Sequence, residues 1–207
     1  MINSQKVTAD TLNVSRETFE RLTIYVDLLE RWNPKINLVS RNSLKEIWVR
    51  HIQDSVQIYQ CAEDAIHWVD LGSGGGFPGM VCAIMAKEEA PFTRFTLVES
   101  DQRKSAFLRN VARECGVDCR VVSRRIEMID PLRADILSAR ALADLGTLLS
   151  FCDRHLNADG IALLPKGVSW KKELAEACKE WKFHAEPITS LTEPQSVILK
   201  IKGVSRG

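Results

Sequence analysis

Phe19, Leu22, Val26 and Leu29 recur at intervals of three and four, so the segment from about Ser15 to Trp32 reads as an amphipathic helix that Pro34 should terminate. A second helix is predicted from the capping box Ser43-Leu44-Lys45-Glu46, with Ile47, His51, Ser55 and Ile58 or Tyr59 continuing one face to about Gln60. Beyond residue 62 the pattern changes. Ile66 to Val69 has the residue types of a buried strand, and it is followed by a helix over 79–87, a strand over 93–99, a helix over 101–115 ended by Gly116, and a strand over 119–123. Asp135 to Ser138 then reads as a strand, Leu142 to His155 as a helix, Ile161 to Leu164 as a strand and Ser169 to Trp181 as a helix. His184 to Ile188 and Ser196 to Ile201 alternate with no helix between them, which predicts an antiparallel pair at a sheet edge. The class is therefore α/β: a Rossmann-like, mostly parallel sheet over 63–207, preceded by an N-terminal helical extension over 1–62 that packs on it.

Composition narrows this picture without redirecting it. A chain of 207 residues with 45% hydrophobic and 27% charged positions can bury a sizeable core. No apolar run approaches the roughly 20 residues needed to span a bilayer, and the start Met1-Ile2-Asn3-Ser4-Gln5-Lys6 lacks a signal-peptide core. The six cysteines, at 61, 82, 115, 119, 152 and 178, form no CxxC pair, so neither zinc nor a disulfide framework is expected. Reduced, mostly buried thiols point to a cytoplasmic protein, and no exposed apolar stripe calls for a dimer, so a monomer is expected. A net charge of +1 means that any nucleic acid must be met by a local basic patch.

The chemistry concentrates after the first strand, in Val69-Asp70-Leu71-Gly72-Ser73-Gly74-Gly75-Gly76-Phe77-Pro78-Gly79. Strand, glycine turn and apolar helix make the first half of a βαβ unit, and the glycines allow φ > 0 and close backbone approach to a ligand. Gly74-x-Gly76-x-x-Gly79 fits a dinucleotide loop, yet Asp70 would then face a pyrophosphate. S-adenosylmethionine brings a sulfonium and an ammonium instead, for which a carboxylate is a suitable partner. Glu99 ends the next strand, where a carboxylate accepts from both ribose hydroxyls, a device both ligand classes use. Asp70 and Pro78 favour the methyl donor, a bare βα turn without ligand being the plain alternative.

At this point the chain resembles a known family. Trp32-Asn33-Pro34-Lys35-Ile36-Asn37-Leu38, His51-Ile52-Gln53-Asp54-Ser55, the segment from Asp70 to Gly79, Ser138-Ala139-Arg140-Ala141 and Pro165-Lys166-Gly167 occur in the order found in the bacterial small-subunit ribosomal RNA guanine-N7 methyltransferases, the RsmG or GidB family. The likeness spans about 30–170. Its departures are small: Val39-Ser40, and Gly75 where a proline is frequent, which loosens the turn slightly. The resemblance implies a class I S-adenosylmethionine-dependent methyltransferase fold and methylation of N7 of one guanine in 16S ribosomal RNA, free or within the small ribosomal subunit. A small-molecule or protein methyltransferase is the second reading, and a non-catalytic RNA-binding ribosome assembly factor the third.

What is absent fits an N7 acceptor. Exocyclic-amine enzymes carry an Asn/Asp-Pro-Pro-aromatic signature where Ser138-Ala139-Arg140-Ala141 stands, and cytosine C5 enzymes need a cysteine beside a proline, whereas Pro165 is followed by Lys166. Guanine N7 carries a free lone pair, so alignment suffices and no proton need be removed. Strand-end positions then assign roles: Asp70, Gly72, Gly74, Gly76 and Phe77 to the methionine end of the donor, Glu99 to its ribose, and Ile126-Glu127 to adenine. Arg140 is placed beside the transferred methyl, against donor carboxylate or RNA, and Lys166 at a phosphate, each with an ordinary ion pair as the plain alternative. His51 and Asp54 lie one turn apart, as a structural pair or as part of the guanine pocket. Lys35, Arg41, His51, Arg124, Arg125 and Lys166 are the RNA-facing candidates, Arg124 and Arg125 ending a stretch that also holds Arg103, Lys104, Arg109, Arg113 and Arg120. A solvated helix face is the bland explanation of that run.

Overall fold

Hydrophobic side chains divide between the two faces of one sheet, as strand alternation requires. The computed structural model describes residues 7–207; the polar start at 1–6 lies outside them. The strands are β1 (His67–Leu71), β2 (Arg94–Val98), β3 (Cys119–Val122), β4 (Ala134–Ala139), β5 (Leu156–Lys166), β6 (Trp181–Thr189) and β7 (Val197–Arg206), in the order β3-β2-β1-β4-β5-β7-β6. The first five are parallel, and β7 runs antiparallel between β5 and β6. Order reverses between β1 and β4, and that switch point is where open α/β sheets bind ligands.

Trp68, Phe95, Leu97 and Ile136 point to one face, while Val69, Leu71, Val98 and Leu137 point to the other. The first face carries α5 (Gly79–Glu89) and α6 (Gln102–Glu114); the second carries α7 (Leu145–His155) and α8 (Trp170–Ala177). α5 is buried continuously from Gly79 to Ala86, and a helix apolar all round needs cover on both sides. The leading helices supply it. They comprise α1 (Ala9–Leu12), α2 (Arg16–Ile36), α3 (Arg41–Leu44) and α4 (Asp54–Gln60), with α2 packing on α5 and α6 and α4 on α5. Leu22, Tyr25, Leu29, Ile52 and Ile58 join Met80, Ile84, Phe107 and Leu108 in a single cluster.

Several boundaries depart from the expected ones. Pro34 lies inside α2, which ends at Ile36 with Asn37 left-handed. A proline in the last turn removes only the bond to Glu30, and Glu30 is exposed, so water can satisfy that carbonyl. The expected capping box at Ser43 is displaced to Ser40, whose Oγ accepts from the Ser43 amide at 3.1 Å, while Glu46 pairs with Arg50 at 2.9 Å. Trp48–Gln53 then forms a π-helical turn ahead of α4. α7 starts at Leu145 rather than 142 because Asp144 caps it through the Thr147 amide. α8 stops at Ala177, and Trp181 opens β6. No helix among the described residues is long and apolar enough to cross a membrane.

Candidate functional site at the carboxyl ends of the strands

The glycine turn between β1 and α5 is held from beneath by the helical lead. Tyr25 on α2 donates its hydroxyl to the Gly75 carbonyl, and full burial raises its pKa well above the ordinary tyrosine value, so it stays a neutral donor. Gly76 sits at φ +100 with its hydrogen directed into this packing: a Cβ there would lie 2.6 Å from Tyr25 Oη and 2.9 Å from Met80 Cβ. Gly74, at φ +53, faces the opposite way, with nothing closer than 3.8 Å to a Cβ built on it. Asn33 Oδ1 accepts from the Leu38 and Val39 amides at 2.8 and 2.9 Å, which brings Leu38 to the turn.

A cavity of about 560 Å³ opens above the turn. Gly72, Gly74 and Phe77 of the turn line it together with Glu99, Ile126 and Glu127, with Arg140 and His51, and with the basic residues Lys104, Arg124 and Arg125. Glu99 is 8% exposed, and its two oxygens accept from the Gly74 amide and the Asp101 amide, each at 2.8 Å. Two bonds leave a carboxylate with further lone-pair capacity toward the cavity.

Asp70 is not on the cavity wall. It is fully buried behind the turn, its Oδ1 accepting from Ser138 Oγ at 2.6 Å, and Ser138 in turn accepts from Trp68 Nε1 at 2.9 Å. Burial pushes its carboxyl up to about 6, against the lowering effect of the Ser138 bond. It lies against the first residue of α5, where a Cβ on Gly79 would come within 2.5 Å of it. The expected contact to a sulfonium or ammonium is therefore replaced by a place at a helix N-terminus. Gly76 likewise supports the turn from below.

Arg140 follows β4 and reaches across to the π-helical turn. Its guanidinium donates to His51 Nδ1 and, at 3.2 Å, to the Arg50 carbonyl, and it lies 5.1 Å from the Phe77 ring centroid. His51 stacks on the same ring at 4.7 Å. Burial, then the charges of Arg140 and Arg50, lower its pKa to about 3, so the ring is neutral and Nε2 carries the proton. That Nε2 is buried without a partner among the described residues.

Lys166 ends β5 as expected and is engaged in an ion pair there. It is 8% exposed, and its Nζ donates to Glu173 at 2.8 Å and to the Ala143 carbonyl at 2.9 Å, so it pins the loop after β4 rather than offering a free cation. Burial alone would raise the Glu173 pKa, but hydrogen bonds from Lys166 and Ser169 hold it below the ordinary value. Lys35 and Arg41 are exposed and do not line the cavity.

A family model of rRNA small subunit methyltransferase G matches residues 18–199. The chain belongs to that family. A Ribosomal RNA small subunit methyltransferase G from Ruegeria pomeroyi is 64% identical over 198 residues, covering 96% of this chain and 97% of the relative. Among solved structures, a methyltransferase from Geobacter sulfurreducens superposes with a TM-score of 0.60 at 13% identity, over 88% of each chain. The structure of M. jannaschii TYW2 in complex with AdoMet gives 0.58 at 12% identity, over 84% of this chain and 80% of that one. At such identities these two show the fold, a class I methyltransferase sheet.

Against this family background, the residues missed by sequence reasoning are those that act on others. Tyr25 could have been found, since it stands three after Leu22 and four before Leu29 on the apolar stripe. Leu142 on the cavity wall carries no signal of its own, whereas Lys104 and Leu38, also on the wall, belong to the basic stretch and to the Trp32–Leu38 segment already singled out.

Proposed function

We propose that this chain transfers a methyl group from S-adenosylmethionine to N7 of a guanine in 16S ribosomal RNA. The observation that carries the reading is the cavity at the switch point, with Glu99 anchored yet unsaturated on one side and no free base on the other. Its volume of about 560 Å³ falls in the range of roughly 300–1,000 Å³ typical of small-ligand sites. The buried carboxyl of Asp70 lies against Gly79, the first residue of α5, so this helix end is already faced by an acid, which disfavours a pyrophosphate there. Gly72, Gly74 and Phe77 would hold the methionine end of the donor, Glu99 the ribose hydroxyls, and Ile126 and Glu127 the adenine.

When bound, the donor supplies an electrophilic methyl carbon, to which the N7 lone pair bonds as the carbon–sulfur pair returns to sulfur. The protein's own groups supply position. Arg140 stays cationic, and His51 has its basic nitrogen already engaged by Arg140, so neither accepts a proton. An N7 acceptor asks for none, and alignment in a water-poor site can contribute about 7 to 11 kcal/mol. Arg124 and Arg125, both exposed at the cavity edge, would meet RNA phosphates together with Lys104.

Labelled S-adenosylmethionine should be incubated with the protein and, separately, naked 16S rRNA, assembled small subunits, a protein extract and a metabolite extract. Label in rRNA in either of the first two arms supports the reading. Label confined to protein or metabolites would replace it with the second class of methyltransferase, and none in any arm would favour an assembly factor.

A further inference from the structure

A second cavity, of about 360 Å³, lies at the carboxyl ends of β4 and β5, and it shares Arg140, Ala141 and Ala143 with the donor cavity. Any group that is to receive a methyl must reach the donor through adjoining space, and this is such a space. Beyond the paired Lys166 and Glu173 and apolar residues such as Ile58 and Ile198, it carries two acids: Asp54 from α4 and Glu193 from the loop between β6 and β7 line this cavity and not the first. Carboxylates facing an RNA approach repel phosphate unless they meet hydrogen-bond donors. A guanine presents two adjacent donors, N1–H and the N2 amino group, on the edge away from N7 and O6; neither adenine nor a pyrimidine does so.

Asp54 and the loop that bears Glu193 are held in place. Gln57 clamps the hairpin loop to α4, its Nε2 donating to the Thr189 carbonyl at 2.8 Å and its Oε1 accepting from the Leu191 amide at 2.9 Å. Thr192 donates to Asp54 Oδ1, while Oδ2 meets no donor among the described residues. The shared wall is fixed as well, by the Lys166 bond to the Ala143 carbonyl, and it includes Ala141 at φ 52, a left-handed conformation that a residue bearing a Cβ adopts only under local constraint. Arg140 engages two of its five guanidinium N–H groups, which leaves donors suited to an acceptor such as O6.

The geometry points to this second cavity as the seat of the target guanine, with Asp54, assisted by Glu193, accepting from its N1–H and N2 amino group. The assignment rests on the N7-methyltransferase reading above and adds the specificity-determining residues. It accounts for the acid of the His-x-x-Asp-Ser segment, which the donor site leaves unused.

The test compares kcat/KM on rRNA whose methylated guanine is retained or replaced by inosine, which lacks only the N2 amino group, for wild type, Asp54→Asn and the exposed-site variant Glu193→Gln. For the wild type, inosine should lower kcat/KM about 10- to 100-fold, as loss of one hydrogen bond to a charged group does. Asp54→Asn should lower the guanine rate comparably and shrink the inosine penalty below about threefold; Glu193→Gln should move both in the same direction by less. Calorimetric donor affinity should stay within twofold of wild type. An unchanged inosine penalty in Asp54→Asn would overturn the assignment, as would wild type indifferent to inosine. Should Asp54→Asn fail to fold, an unchanged inosine penalty in Glu193→Gln overturns the role of Glu193 and with it the paired reading. A wild type that methylates no rRNA at all would instead remove the underlying function, so the two failures are distinguishable.

Discussion

Replacing Glu99 by Ala removes the carboxylate proposed to hold the donor's ribose. A carboxylate offers about four lone-pair positions, and the Gly74 and Asp101 amides, each at 2.8 Å, use two of them. The two that remain match a vicinal diol. Charge-assisted bonds contribute about 1.5–3 kcal/mol each, and water admitted by the truncation recovers part of this. A net loss of about 2–4 kcal/mol follows, or a roughly 30- to 1,000-fold rise in Kd. The two amides also lose their partner; being at a cavity wall they regain water, so stability should fall by only about 1 kcal/mol and Tm by about 2–4 °C. Titration calorimetry with S-adenosylmethionine and a thermal melt read the two effects separately. Glu99→Gln, which keeps one acceptor oxygen, should fall between. A folded Glu99→Ala protein whose Kd stays within threefold of wild type would refute the reasoning, because the carboxylate would then be a loop anchor alone.

Four further outcomes are expected. Gly74→Val should abolish measurable donor binding by calorimetry while the protein stays folded, since the new side chain enters open cavity space and the φ of +53 costs about 1–2 kcal/mol. His51 titrates near 3 in the fold against 6.5 when free, so its contribution to stability is complete above about pH 6.5 and is lost as pH falls toward 3; urea melts of His51→Asn should show a flatter acid limb across that window. Asp70 has the opposite sign: raised to about 6 from 3.8, it favours the fold fully below about pH 3.8 and loses that contribution as pH rises through 6, so Asp70→Asn should flatten stability between those values. Arg124→Ala with Arg125→Ala should reduce the slope of log K against log salt for RNA by about 1.4–1.8 with donor affinity unchanged, and an intact slope would leave the basic edge as solvated surface.

The site was legible where function depends on local chain geometry. A glycine turn, an acid at the end of β2 and a strand-helix alternation are properties of neighbouring residues, and the turn, Glu99 and the pair Ile126-Glu127 meet at one cavity. What the sequence did not reveal is pairing over distance. Lys166 has the position of a free strand-end cation, but Glu173 and the Ala143 carbonyl take two of its three N–H donors, a match that depends on where α8 settles. Arg140 was placed at the reacting groups, yet its partner ring sits 89 residues earlier, on a π-helical turn that no periodicity of 3.6 signals. Asp70 has the position of a ligand contact because it precedes the glycines; strand alternation instead turns it toward α5 and Ser138. Pro34 misled for a milder reason, since a proline in a final turn costs one bond rather than a helix.

The most direct measurement is nucleoside mass spectrometry of 16S rRNA, from naked RNA and from small subunits, after incubation with S-adenosylmethionine and either wild type or Gly74→Val. The expected result is 7-methylguanosine, at no more than one per RNA, with wild type only. A methylated nucleoside of any other kind, or 7-methylguanosine formed equally by Gly74→Val, would contradict it.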